Sequence, residues 1–96
     1  MKPADAMDTI RTIIRARLPD PSYRVFVFGS RVTGTARKFS DVDVGILGNK
    51  TLPGHVVECI KEDLENSNIP YIVDVVDFTT AAPSFRNLAM KNIRYL

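Results

Sequence analysis

The sequence lacks several features that would place it in a specialised class of protein. It has one cysteine, Cys59, and no tryptophan. No internal disulfide can therefore form, which suits a reducing compartment. No apolar run approaches the length of a membrane span, and no basic-then-apolar leader opens the chain. We expect a cytoplasmic protein that has no contact with the membrane.

An excess of charge of one sign is also missing. The 13 lysines and arginines are balanced by 11 acidic residues, and the basic residues are scattered along the chain. This pattern argues against a dedicated nucleic-acid-binding protein, so no direct nucleic-acid partner is expected. The hydrophobic share of 45% can form a core, and 96 residues leave room for one domain, residues 1–96.

The spacing of apolar residues predicts an α/β (α+β) fold in which helices pack on a small mixed β-sheet. Apolar residues recurring every three or four positions predict helices at 4–18, 53–68 and from about 83 to the C-terminus. Short segments rich in β-branched and aromatic residues predict strands at 23–28, 41–47 and 71–78. In the last helix the apolar residues available for packing are Phe85, Leu88, Ala89 or Met90, and Ile93.

The connections between the strands bring three acidic residues to one edge of the sheet. A helix links the second and third strands, which predicts a parallel pair, whereas the short connection between the first two favours an antiparallel pair. Asp41 and Asp43 share a face because side chains alternate along a strand, and Asp74 falls at the same edge. These three carboxylates are therefore expected to converge with the turn at Gly29 and Ser30.

These residue types have the chemistry of a magnesium and phosphate site. Carboxylates without cationic partners are costly unless a hard cation is bound, and two aspartates on one strand could hold a pair of magnesium ions. Gly29 lets the backbone approach a phosphate, and Ser30 offers a hydroxyl. Arg31, Arg37 and Lys38 in the same loop could neutralise a triphosphate.

The combination of motifs is more specific than any one of them, because a lone Asp-x-Asp pair is also expected at a solvated strand start. The segments that carry the pattern are FGSRVTGTARKFSDVDVGIL, IPYIVDVVDF and FRNLAMKNI. Together they resemble the minimal nucleotidyltransferases (MNT proteins) of the DNA polymerase beta-like nucleotidyltransferase superfamily. The resemblance extends over residues 25–93.

This resemblance implies a minimal nucleotidyltransferase fold and a role for each residue of the turn and the Asp-x-Asp pair. Gly29 and Ser30 would hold the triphosphate of ATP, and Arg31 is a further candidate for contact with the nucleotide. Asp41 and Asp43 would bind Mg²⁺, with two ions expected at the site.

A third carboxylate on the later strand completes the site in such proteins. Asp74 fits the family pattern of an aspartate between two hydrophobic residues, and it would bind metal and accept the proton of the acceptor hydroxyl. Asp77 is the alternative, although it points to the opposite face of the same strand.

The resemblance further implies a magnesium-dependent transfer of AMP from ATP to a tyrosine hydroxyl of a helical HEPN toxin. The chain would be the antitoxin of that pair, within a hetero-oligomer. Two alternatives stay open: an antitoxin that neutralises its toxin by binding alone, and a nucleotidyltransferase acting on a nucleic acid or a small molecule.

Overall fold

The computed structural model describes residues 3–29 and 41–96. The helices in these two ranges are α1 (Pro3–Arg17), α2 (Gly54–Glu65) and α3 (Pro83–Ala89). The strands are β1 (Arg24–Phe28), β2 (Val42–Leu47), β3 (Val73–Asp77) and β4 (Ile93–Tyr95). None of the three helices is long and apolar enough to cross a membrane.

The four strands form one mixed sheet in the order β3-β2-β1-β4. β1 is antiparallel to both β2 and β4, whereas β2 and β3 are parallel and joined through α2. The two strand pairings expected from the connections are therefore confirmed. β1 and β2 occupy the centre of the sheet, which explains why β1 is buried on both faces after Arg24 and why β2 is apolar except at Asp43.

One face of the sheet is covered by α1 and α2. Ile10 and Ile14 of α1 are four positions apart and fully buried, as expected for the apolar stripe of a surface helix. They pack with Ile60 of α2 against the alternate residues of β1 and β2 that point to this side, namely Val25, Val27, Val42, Val44 and Ile46. A salt bridge from Arg17 to Asp63 joins the two helices at their exposed edge, with a nitrogen–oxygen distance of 2.8 Å.

The opposite face carries a compact cluster of aromatic rings. Phe26 and Phe28 of β1 pack edge-to-face against Phe78, with ring centroids 5.0 and 4.9 Å apart. Gly45 of β2 lies beneath these rings, and a Cβ there would overlap the ring of Phe26 and approach Phe78 to 2.8 Å. The sequence has a glycine in a buried strand because the rings already fill this space.

The prediction of a helix from about residue 83 to the C-terminus is correct for its first half and wrong for its second. α3 ends at Ala89, and Ile93–Tyr95 form β4 on the free edge of β1. Pairing with β1 satisfies backbone groups of a central strand, and Leu96 continues it by donating its N–H to the carbonyl of Val25 at 2.9 Å. Ile93 packs on the aromatic cluster, whereas Leu88, expected in the core, is 68% exposed.

Candidate active site

Phe28, Asp43 and Asp74 lie side by side across three strands. Phe28 is paired with Asp43 in the antiparallel ladder, and Asp43 is paired with Asp74 in the parallel one. Paired residues project to the same face of a sheet, so both carboxylates lie on the face that α1 and α2 leave uncovered. The structure thus brings together two of the three aspartates that the sequence placed at this edge.

Asp43 is half-buried, whereas Asp41 and Asp74 are exposed. Burial raises the pKa of the Asp43 carboxyl, and the negative charges of Asp74 and then Asp41 raise it further. In the described part of the chain the two ion pairs involve Asp8 and Asp63, so none neutralises this group. A cation bound between neighbouring carboxylates would relieve this repulsion.

The carboxylates fit magnesium in chemistry and in number. Magnesium is commonly held by one or two protein carboxylates and completes its shell with water and substrate phosphates. Asp43 and Asp74 offer such a pair, and Asp41 is near enough for its charge to act on Asp43. Among residues 3–29 and 41–96, no group of three His, Cys, Asp or Glu side chains is arranged to hold a metal ion. The assignment of all three aspartates as ligands therefore stays a prediction.

Gly29 follows β1 and lies against Asp43. Its φ of +79° is one that side-chain-bearing residues rarely adopt, and a Cβ there would lie 2.6 Å from Oδ2 of Asp43. At this turn bare backbone therefore lies directly against the carboxylate, and the phosphate contact of Gly29 stays a prediction. The other predicted loop residues, Ser30, Arg31, Arg37 and Lys38, lie outside the described residues.

Asp77 points to the opposite side of β3 and has a structural role. Its carboxylate accepts hydrogen bonds from the backbone N–H of Leu52 at 3.2 Å and of Thr79 at 2.9 Å. The bond from Leu52 fixes the segment before α2 to the end of β3, and the bond from Thr79 closes the turn that follows the strand. The geometry favours Asp74 over Asp77 as the third carboxylate, because Asp74 is the one beside Asp43.

A cavity of about 840 Å³ opens beside the two carboxylates and runs along the outer edge of β3. Asp43, Asp74, Phe28 and Phe85 line its carboxylate end. Phe85 is 45% exposed, although its ring centroid lies 6.2 Å from that of Phe28. From the sequence, Phe85 was expected to be a packing residue of the last helix. Its helical spacing is the same for either role, so the sequence held no signal for this position.

Comparison with known proteins gives a family match over most of the chain. Residues 16–96 match the family model described as Polymerase beta, Nucleotidyltransferase. Over 88 residues the chain is 34% identical to the probable protein adenylyltransferase MntA of Haemophilus influenzae, covering 92% of this chain and 75% of that protein.

Two solved structures share the fold. A chain from a toxin–antitoxin crystal structure with AMP-PNP superimposes with a TM-score of 0.73 at 24% identity, over 92% of this chain and 69% of the other. A chain from the complex of tri-AMPylated Shewanella oneidensis HEPN toxin with MNT antitoxin gives a TM-score of 0.68 at 20% identity, over 94% and 67%. At these identities the likeness establishes the architecture.

Proposed function

The chain belongs to the polymerase beta nucleotidyltransferase family, and we propose that it transfers AMP from ATP to a tyrosine hydroxyl of a HEPN-type toxin. It would thereby act as the antitoxin of that toxin, in a cytoplasmic hetero-oligomer. The observation that carries this proposal is the pairing of Asp43 with Asp74, next to the turn at Gly29. The likeness to an adenylyltransferase and to toxin–antitoxin complexes supports both the reaction and the partner.

The donor half of the site would lie at the β1 end of the carboxylate row. The backbone of Gly29 would face the triphosphate, since this turn carries no side chain and lies directly against Asp43. Asp41, Asp43 and Asp74 would hold magnesium, with two ions expected. Bound magnesium would neutralise the phosphates and favour ionisation of the acceptor hydroxyl.

The acceptor half would use Asp74. The hydroxyl oxygen forms a bond to the α-phosphorus of ATP, while the bond from that phosphorus to the bridging oxygen of the β-phosphate breaks. Pyrophosphate leaves with that electron pair, and the hydroxyl proton passes to the carboxylate of Asp74. Catalysis would rest mainly on positioning and charge neutralisation, as in other transfers at phosphorus.

The test is intact mass spectrometry of the toxin after incubation with the protein, ATP and magnesium. The wild-type chain is expected to add AMP to the toxin, and Asp43→Asn combined with Asp74→Asn should abolish the addition. Asp5→Asn, an exposed change on α1, is the matched control and should leave the rate unchanged.

Two outcomes would overturn parts of the proposal. Modification at the wild-type rate by the double variant would exclude the carboxylate pair from the chemistry. A double variant that still neutralises the toxin without modifying it would establish neutralisation by binding alone.

A further inference from the structure

We infer that Phe85 selects the acceptor: its half-exposed ring, which packs on the buried Phe28, is an aromatic wall that holds the ring of a phenolic substrate, so that tyrosine is modified in preference to serine or threonine. This inference rests on the proposed function and adds to it a residue that determines specificity. It assigns to the cavity beside Asp74 one occupant, the tyrosine side chain of a partner protein.

The donor and the acceptor must reach the carboxylates from different directions. The attacking and leaving oxygens lie roughly in line at the phosphorus during transfer. Gly29, the donor turn, follows β1, and Asp43 on β2 lies between β1 and Asp74 on β3. A triphosphate on the Gly29 side therefore directs its leaving group towards β1 and receives the acceptor from the β3 side. The cavity opens on that side, and Gly29 is absent from its described lining.

Aromatic side chains line the cavity beside the carboxylates. Phe28 is nearly fully buried, but Phe85 stands 45% exposed on α3 while its ring remains in contact distance of Phe28 and Phe78. Aromatic rings attract further rings edge-to-face or offset, at centroid separations of about 4.5–7 Å. An exposed ring beside two carboxylates offers this contact to a substrate ring. An aliphatic hydroxyl has no ring to place there.

The volume of the cavity is typical of a ligand-binding site. Sites for small ligands commonly enclose about 300–1,000 Å³, and this cavity of about 840 Å³ lies in the upper part of that range. It continues past the carboxylates to Lys61 and Glu65 of α2. A tyrosine ring would fill the carboxylate end only, and the remaining space could receive neighbouring residues of a polypeptide. Such an opening suits a side chain presented by a protein.

The experiment compares two short peptides that differ only in one central residue, tyrosine or serine. Each is titrated into the full chain with magnesium and the non-hydrolysable analogue AMP-PNP, and binding is followed by NMR shifts of the backbone amides around Asp74 and Phe85. With ATP in place of the analogue, AMP transfer to each peptide is measured by mass spectrometry. Phe85→Ala removes the ring, and Phe85→Leu keeps apolar bulk without it. Leu88→Ala, 68% exposed on the same helix and outside the cavity lining, is the matched control.

The wild-type chain and Leu88→Ala should bind the tyrosine peptide about 3- to 10-fold more tightly than the serine peptide, the range expected for one aromatic contact. Both Phe85 variants should lose this preference while their affinity for AMP-PNP stays unchanged. Phe85→Leu should melt close to the wild type, whereas Phe85→Ala, which removes a ring packed on Phe28 and Phe78, should melt at a lower temperature. The same variants should show the same loss in kcat/KM for transfer to tyrosine.

Two results would overturn the inference. One is an unchanged preference for tyrosine in both Phe85 variants. The other is a loss of AMP-PNP affinity in those variants, which would place the adenine ring on the wall instead. Ring-dependent peptide binding without any AMP transfer would support the acceptor site and contradict the proposed reaction, so the two failures are distinguishable.

Discussion

A methyl group on Gly29 would lie 2.6 Å from Oδ2 of Asp43, within the contact radius of the two atoms. The backbone of the turn and the carboxylate of the neighbouring strand are therefore fitted to each other. The fit depends on the absence of a side chain at Gly29 and on its positive φ. It links the phosphate half of the proposed site to its metal half through direct contact.

Gly29→Ala should consequently impair both stability and AMP transfer. The positive φ alone costs a side-chain-bearing residue about 1–2 kcal/mol, and the methyl group must also displace the carboxylate. We expect a melting temperature lower by roughly 5–15 °C and a transfer rate reduced at least tenfold. Gly54→Ala is the matched control, because a Cβ at Gly54 meets nothing within 4 Å. Equal effects of the two substitutions would contradict the proposed fit.

Asp43→Asn should stabilise the protein when magnesium is removed. The pKa of Asp43 is raised by burial and by the charges of Asp74 and Asp41, so its ionised form opposes folding at neutral pH. Removing a repulsive cross-strand charge contributes about 0.2–1 kcal/mol after solvent screening. Thermal unfolding in EDTA at pH 7 should show a melting temperature higher by about 1–6 °C.

Added magnesium should have different effects on the melting temperatures of the wild-type chain and Asp43→Asn. Ligands that bind only the folded state raise its stability, so magnesium should raise the melting temperature of the wild-type chain and have little effect on Asp43→Asn. Asp63→Asn is a suitable control, since Asp63 lies on α2 and binds Arg17. An equal response of wild type and Asp43→Asn to magnesium would remove Asp43 from the metal site.

The Arg17–Asp63 pair gives a prediction about pH. A hydrogen bond from the Arg17 guanidinium, together with its positive charge, holds the pKa of Asp63 below its ordinary value of 3.8. A carboxyl with a lowered pKa contributes stability that is present above pH 3.8 and is lost as the pH falls through the lowered value. The wild-type chain should therefore be more stable than Asp63→Asn at pH 6, and the two should converge at strongly acidic pH. A difference in stability that is constant from pH 6 to acid would contradict this.

Gly45→Ala tests the packing beneath the aromatic cluster. A Cβ at this position overlaps the Phe26 ring and approaches Phe78 to 2.8 Å, and both rings are fully buried. Overpacking of this kind costs typically about 1–3 kcal/mol. Denaturant unfolding should show that loss, and restoring the wild-type stability by adding Phe26→Leu would confirm that ring displacement is the cause. No loss of stability would mean that the rings move freely.

The sequence was most informative where one physical constraint dominated. The buried stripe of Ile10 and Ile14 predicted α1, and the apolar strand ending in Phe28 predicted a central β1. The helix between β2 and β3 indicated a parallel pair, and this pairing alone predicts that Asp74 lies near Asp43. Local pattern and connection length were sufficient for these features.

The sequence was least informative where tertiary contacts decided the outcome. Ile93 continues the helical spacing of α3, but the free edge of β1 offers it backbone partners that a longer helix would forgo. Likewise, Phe85 has the spacing of a core residue, and only the position of α3 on the sheet leaves its ring exposed. The spacing of apolar residues alone predicts neither the pairing of β4 with β1 nor the exposure of Phe85.

Asp77 helps to determine the position of Asp74, which lies three residues earlier on β3. A slip of β3 by one residue would turn Asp74 into the helix-covered core and expose Val75, because side chains alternate along the strand. The hydrogen bond from Leu52 to Asp77 opposes such a slip, since it ties the end of β3 to the segment before α2. Asp77 thus stabilises the register of β3 that places Asp74 beside Asp43, although its own side chain lies on the opposite face of the sheet.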